Sequence, residues 1–466
     1  MRVCMILEGC YPFVRGGVST WVHQYIENSP SIDFVLWTIH ATKEDTQHAL
    51  YQFPSNVKEH HMIILDEDNK ERRTSRNDEH WAEEASNAFY RILFSDDSVC
   101  FEKLVETIRH GKSSARSLLK SKALLSIAER MSETVPDLGL ADAFYSIQSM
   151  LAPICNVLSA PIPHADVYHS AVTGYGGLLG AIAAIEEKKP FILTEHGIYP
   201  REREEELISS DWAISAMKSL WIKLFYEMSR FAYRHSSIVT SLFRSAKERQ
   251  IIIGCDPSKC VVIPNGIRAE RFSQFDLPKP NDVMHIGAFV RFAAIKDLKT
   301  MIRSFAAARQ NGYQIVLHIM GGTDDEDYKA SCEALIHSFG LEESIRIEGH
   351  VNTLEYMTKM DITILTSVSE GQPLTILESM AAGRPCIATR VGNCSGLIED
   401  EIDGIGPAGI CCSPMDTDGI ADALAKLYLN PALRRTMGIN GKKRVMTHYS
   451  LEGMLRSYHA LYEEVI

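Results

Sequence analysis

Two cations and two carboxylates stand at spacings that suit one extended, phosphorylated ligand. Arg291 and Lys296 lie five positions apart in R-x4-K, directly after a short apolar run at 284–288. On a strand-to-helix loop, a planar guanidinium and a compact ammonium can both reach a single diphosphate. Glu370 and Glu378 stand in S-E-G-Q-P-L-T-I-L-E, behind a second apolar run at 362–365. Pro373 suits the first turn of a helix, which puts Glu370 in the loop before it and Glu378 about a turn and a half inside. Two carboxylates so placed can grip two hydroxyl-bearing parts of one ligand. The backbone of Gly371, Gln372, Pro373 and Leu374 can then meet a phosphate between them. Near the N-terminus, Gly16-Gly17 precedes a helix-period segment, and paired glycines let backbone N–H groups approach an anion closely. No G-x-x-x-x-G-K-[ST] is present and this first loop is not a G-x-G-x-x-G, so it reads neither as a triphosphate loop nor as a dinucleotide fingerprint. Taken singly, each feature also has a plain reading as a tight turn, a surface cation pair or a helix cap.

These residues must be held by alternating strands and helices. Strands are expected at 3–7, 34–39, 62–65, 166–168, 191–194, 238–240 and 261–263, and then at 284–288, 315–320, 345–347, 362–365 and 386–388. Short apolar runs alternating with helix-period segments mean parallel sheets covered on both faces. The stretch 271–282, RFSQFDLPKPND, is polar with two prolines and reads as a linker. The expectation is therefore an α/β protein of two doubly wound, Rossmann-like domains facing a cleft. The first runs over 1–275 and the second over 276–450, and a final helix at 451–466 packs back on the first. From about 66 to 157 the alternation stops and the chain reads as a charged helical insertion. Within it Arg109, His110, Lys112, Arg116, Lys120 and Lys122 form a basic run, either a solvated helix face or a docking surface for a partner or an anionic membrane.

The 466 residues are 45% apolar and 23% charged, a composition that excludes disordered, collagenous and disulfide-scaffold chains. A net charge of −12 disfavours a general nucleic-acid binder, which needs clustered cations, yet leaves room for a local basic pocket. Eleven cysteines at irregular spacing, with no C-x-x-C, read as reduced core thiols, and no zinc or other metal site is expected. The first residues are too short a run for a signal peptide, and the apolar stretch at 178–185 is too short to span a bilayer. The expected location is the cytoplasm.

E-x7-E, R-x4-K, Pro264-Asn265-Gly266-Ile267 and the glycine-bearing first loop together resemble the retaining glycosyltransferases of family 4, which have the two-domain GT-B fold. Within that family the resemblance is to the branch serving Pel exopolysaccharide synthesis, through LEGCYPFVRGGVSTWVH, YHSAVTGYGGLLG, FILTEHGIYPRER, RFAAIKDLKT and LTSVSEGQPLTILE. The resemblance implies a UDP-sugar donor, with UDP-glucose favoured, no metal or other cofactor, and a polysaccharide acceptor. It also implies partners at the inner membrane. By position, Arg291 and Lys296 would bind the diphosphate and Glu378 the ribose. Glu370 would contact the transferred sugar, with Gly371 and its neighbours close by. Gly16 and Gly17 would lie beside the phosphates and acceptor, and Asn265 would belong to the nucleotide-sugar site. His169 would face the reacting sugar carbon, and Glu195 and His196 would form part of the cleft wall. Cys394-Ser395-Gly396 and Pro200 depart from the family pattern.

Three other readings remain open on sequence. A metal-dependent transferase would use an acidic triplet after a strand, at Asp66-Glu67-Asp68 or Asp325-Glu326-Asp327. A UDP-sugar epimerase would share the cleft and act on the donor alone. A non-catalytic sugar-nucleotide-binding protein would dock partners through the basic insertion.

Overall fold

The computed structural model describes residues 1–66, 79–95, 99–111, 115–210, 212–273, 283–399 and 403–466. They form two compact units. The first comprises Met1–Ile263 with Tyr458–Ile466, and the second Pro264–Ser457.

The first unit is built on a seven-stranded parallel sheet: β1 (Arg2–Glu8), β2 (Asp33–His40), β3 (Val57–Ile64), β4 (Val167–Ser170), β5 (Phe191–Glu195), β6 (Ile238–Ser241) and β7 (Cys260–Val262). Their order in space is β3-β2-β1-β4-β5-β6-β7. The central strands are buried along their length, as a sheet covered on both faces requires. Between β3 and β4 the described residues form five helices, Glu79–Phe94, Val99–His110, Ala115–Leu119, Lys122–Thr134 and Leu140–Ser159. Charged as this insertion is, each long helix keeps an apolar stripe. Trp81, Phe89, Phe101, Leu104, Leu124, Ile127 and Ile147 join the core that includes Val35 and Ile39 of β2.

The second unit has a six-stranded parallel sheet of β8 (Met284–Phe289), β9 (Ile315–Met320), β10 (Ile345–Gly349), β11 (Ile362–Leu365), β12 (Cys386–Thr389) and β13 (Gly409–Cys412). Its order is β10-β9-β8-β11-β12-β13. The chain enters this unit at Pro264 because Ile267 is tied to it from both sides. Its N–H donates to the Tyr449 carbonyl at 2.9 Å, and its own carbonyl accepts from the Leu451 N–H at 3.0 Å. Gly266 has no side chain because a Cβ there would sit 2.4 Å from the Ser450 carbonyl oxygen. The boundary expected between 275 and 276 falls among residues 274–282, outside the described residues.

Two strands differ from expectation. β13 was not expected, and β3 starts at Val57 rather than 62. Both are edge strands: β3 is polar and largely exposed over its first half, and β13 is only four residues long. All eleven cysteines are free thiols, and all but Cys10 are buried. Among the described residues no helix is long and apolar enough to cross a membrane.

Candidate functional site in the second unit, with its counterpart in the first

In each sheet the chain reverses its direction of strand addition once: between β1 and β4 in the first, and between β8 and β11 in the second. Loops leaving the carboxyl ends of two such neighbours diverge and leave a crevice, the usual ligand site of open α/β sheets. The loops after β8 and β11 carry Arg291, Lys296 and Glu370.

Lys296 Nζ donates to Glu370 Oε1 at 2.6 Å, and the Ser367 hydroxyl donates to the same oxygen at 2.6 Å. The pair is mostly sheltered, with the side chains 19% and 12% exposed. The two loops are also bound through their backbones. The Val368 N–H donates to the Ile295 carbonyl at 2.9 Å, and the Thr366 hydroxyl lies 3.0 Å from the carbonyls of Lys296 and Asp297. Arg291, half-exposed, forms an ion pair of 2.5 Å with Asp324. The turn after β12 supports Glu370 from below. Gly392, at φ +53°, packs so closely that a Cβ would lie 2.0 Å from the Glu370 carbonyl oxygen, and the Asn393 N–H donates to the Gly371 carbonyl at 2.9 Å.

The helix Leu374–Ala381 begins with Pro373 at its N-cap, one position earlier than the first-turn placement expected, and no side chain caps it. Glu378 lies one turn inside this helix and is half-buried. Burial pushes its carboxyl up to about 7, against a smaller downward pull from Arg271. No hydrogen bond or ion pair engages that carboxylate among the described residues, so it stands as an unused polar group near the crevice. Asn265 and Gln372 are both buried and serve each other. The Asn265 N–H donates to Gln372 Oε1 at 2.6 Å and Asn265 Nδ2 to the Gln372 carbonyl at 3.2 Å, while Asn265 Oδ1 and Gln372 Nε2 have no partner.

In the first unit, Gly16 and Gly17 open the helix Gly17–Glu27, again without a side-chain cap. A Cβ at either position would meet nothing within 4 Å, so nothing in the fold demands glycine there and the backbone stands open to approach. His169 departs from expectation. It is fully buried at the end of β4, with Nδ1 2.6 Å from the Tyr462 hydroxyl and Nε2 2.8 Å from the Thr194 hydroxyl. Both ring nitrogens are committed, and burial, with His196 adding to it, pushes the imidazole down to about 3. In this arrangement His169 cannot face a reacting sugar; it joins the sheet to the C-terminal helix. Glu195 likewise points inward rather than forming a wall. It accepts from the Thr173 hydroxyl, from the Tyr233 hydroxyl at 2.7 Å and from Gln250 Nε2 at 2.8 Å, and burial raises its carboxyl. His196 alone of these keeps a ring nitrogen, Nε2, without a partner; its ring stands edge-on to Trp21 with centroids 4.7 Å apart, and burial lowers it to about 4.

Among the residues that sequence reasoning passed over, Ser367 and Asp324 touch the expected site directly. The only sequence hint was the acidic run D-D-E-D that Asp324 begins. Of the two acidic triplets, Asp325 accepts from the Tyr328 N–H at 2.9 Å and caps the helix Glu326–Ser338. The triplet at 66–68 lies mostly outside the described residues. In the basic run, Arg109 is committed to Glu186 and to the carbonyls of Leu158 and Ala160 at 2.7 Å each, and Lys112 lies outside the described residues.

A family model described as "Domain of unknown function (DUF3492)" matches residues 1–258, more than half of the chain, and one described as "Glycosyl transferases group 1" matches 268–444. The chain is 22% identical over 284 residues to MMP alpha-(1→4)-mannosyltransferase of Mycolicibacterium hassiacum. That alignment covers 59% of this chain and 66% of the mannosyltransferase, just under two thirds of the relative's length. Sucrose-phosphate synthase of Thermosynechococcus elongatus superposes with a TM-score of 0.63 at 16% identity, covering 99% of this chain and 98% of that one. HepE of Anabaena, in complex with UDP, superposes with a TM-score of 0.62 at 13% identity, covering both chains fully. At such identities the likeness is one of fold, and that fold is GT-B. The chain thus belongs to the DUF3492 family, and its second unit is similar to the group 1 glycosyl transferases.

Proposed function

We propose that this protein is a retaining, metal-independent glycosyltransferase that moves a hexose from a UDP-sugar, UDP-glucose being the favoured donor, to a growing exopolysaccharide. Within family 4 it reads as a PelF-type enzyme, acting at the cytoplasmic face of an inner-membrane complex that makes Pel. The observation that carries this reading is the Lys296–Glu370 pair at the crevice between the loops after β8 and β11, with Arg291 and the unengaged Glu378 in the same unit.

Arg291 and Lys296 would hold the donor diphosphate, and the uncapped start of the helix Leu374–Ala381 would add backbone donors. As the glycosidic bond breaks, the leaving UDP gains negative charge. Fixed cations stabilise that charge more in the transition state than in the ground state, and this difference accelerates the reaction. Glu378 would accept hydrogen bonds from the ribose. Glu370, held by Lys296 and Ser367, would receive the hydroxyls of the transferred sugar. The leaving phosphate oxygen would take the acceptor's proton on the donor's front face, so no protein base is required. In the first unit, the open Gly16–Gly17 turn would serve the acceptor, and His196 is a better candidate than His169 to meet a sugar because its Nε2 has no partner.

The test is incubation with a panel of UDP-sugars, with and without a chelator, following UDP release and the anomeric configuration of the product by NMR. Release from at least one donor, with the α-linkage kept and no loss in EDTA, is the expected result. Inversion, or activity that EDTA abolishes and manganese restores, overturns the mechanism.

A further inference from the structure

Arg291 does not wait for its ligand unpaired. Asp324 Oδ2 lies 2.5 Å from its guanidinium, and no other partner of Arg291 is found among the described residues. The position of Asp324 is built into the fold rather than left to a loose side chain. The loop after β9 is zipped to the loop after β8: the Val290 N–H donates to the Met320 carbonyl, the Phe292 N–H to the Gly322 carbonyl, and the Asp324 N–H to the Phe292 carbonyl, at 2.9, 2.9 and 3.1 Å. Gly321 permits this approach, since a Cβ there would lie 2.1 Å from the Val290 carbonyl oxygen. On the far side, the Gly321 N–H donates to the Gly349 carbonyl at 2.8 Å. Strands β8, β9 and β10 therefore together set the backbone that delivers this carboxylate to Arg291.

Resting on the donor-site reading above, we infer that Asp324 is a positioning residue: a resident counter-ion that holds Arg291 while the site is empty and competes with the donor's diphosphate for it. A diphosphate reaching Arg291 must displace this carboxylate and then tolerate its negative charge nearby. On product departure the carboxylate recaptures Arg291, so the same contact that weakens UDP binding also speeds UDP release. Asp324 touches no reacting atom; it acts through Arg291. The pair is half-exposed at both ends, 49% and 42%, so the competition is worth the modest strength of an exposed ion pair.

The test is titration of the full-length protein with UDP and with uridine, using the wild type, Asp324→Asn, Arg291→Gln and the double variant. Asp324→Asn should bind UDP about two- to fivefold more tightly, the fold-change that an exposed ion pair corresponds to. The gain should shrink as salt rises from about 0.05 M to about 0.5 M. Uridine, which has no phosphate, should bind Asp324→Asn and wild type alike, and most of the UDP gain should vanish on the Arg291→Gln background. Thermal melting of each variant checks the fold, and Asp324→Ser should repeat the direction of Asp324→Asn. If Arg291→Gln weakens UDP while Asp324→Asn binds it no better than wild type, the counter-ion role is overturned and the donor site stands. If wild type does not bind UDP, or Arg291→Gln binds it as wild type does, the donor-site reading fails and the inference with it.

Discussion

Lys296 Nζ and Glu370 Oε1 lie 2.6 Å apart although 74 positions separate them in the chain. Strand order explains the meeting. β11 pairs with β8, with Ile362 opposite Ile286 and Thr363 opposite Gly287, so the loops that follow both strands leave the same end of the sheet side by side. An ammonium and a carboxylate from two loops are thereby held as one unit. Each keeps the other in position before any ligand arrives, a form of preorganisation.

Removing either cation should weaken the diphosphate. Arg291→Ala or Lys296→Ala is expected to cost roughly 1.5–3 kcal/mol of UDP binding, the range for hydrogen bonds to charged groups. Turnover should fall further, because the leaving group is left uncompensated. Calorimetry with UDP and a UDP-release assay measure the two quantities separately.

The two glutamates should separate by ligand. Glu378→Gln is expected to weaken UDP and UDP-sugar alike by about 1–3 kcal/mol, since both carry the ribose. Glu370→Gln should depress binding or turnover of the intact donor. It should leave free UDP almost unchanged, because losing the carboxylate both loosens Lys296 and frees its charge. Four titrations decide the matter, and a loss of UDP affinity in Glu370→Gln equal to that in Glu378→Gln would reverse the assignment.

UDP affinity should also depend on pH through Glu378. With its pKa raised to about 7, the group is largely protonated below neutrality and ionised above it. Ribose hydroxyls donating to the carboxylate favour the ionised form, so binding lowers the pKa and releases a proton. Affinity should therefore rise as pH increases from about 6 towards 7 and level off above it. UDP titrates its own phosphate in this range, so the Glu378 contribution is the difference between wild type and Glu378→Gln. A difference that does not change with pH would show that this carboxylate does not engage the ribose.

His169 makes a prediction about stability rather than turnover. Its folded pKa, about 3, lies below the ordinary value of 6.5, so the unfolded chain binds a proton that the folded chain refuses. Stability is therefore retained above about 6.5 and lost as pH falls below it, with an upper slope of about 1.4 kcal/mol per pH unit from this group. Melting temperatures from pH 7.5 down to 5 measure the trend. Tyr462→Phe, which leaves the buried Nδ1 without its partner, should lower stability by about 1–3 kcal/mol at neutral pH.

Much of this was legible in the sequence. Runs such as 315–320 and 362–365 coincide with strands because strands buried on both faces must be continuously apolar. β3 was shortened because VKEHHM is mostly polar, as an exposed edge strand allows. The four-residue β13, GICC, lies behind a segment rich in glycine and proline and gives almost no periodic signal. At the site, R-x4-K and E-x7-E were visible as local spacings. What no local spacing reveals is which groups meet across the fold. Tyr462 closes off His169 from 293 positions away, and Asp324 reaches Arg291 only because β9 lies beside β8.

The central claim is that Arg291 and Lys296 compensate the charge of a departing UDP. Its most direct measurement is UDP release from the best UDP-sugar donor by wild type, Arg291→Ala and Lys296→Ala, each in the presence of EDTA. Wild type should release UDP steadily, and release should fall at least about tenfold in each folded variant, the minimum set by losing one charged hydrogen bond. Release by both variants at the wild-type rate would contradict it.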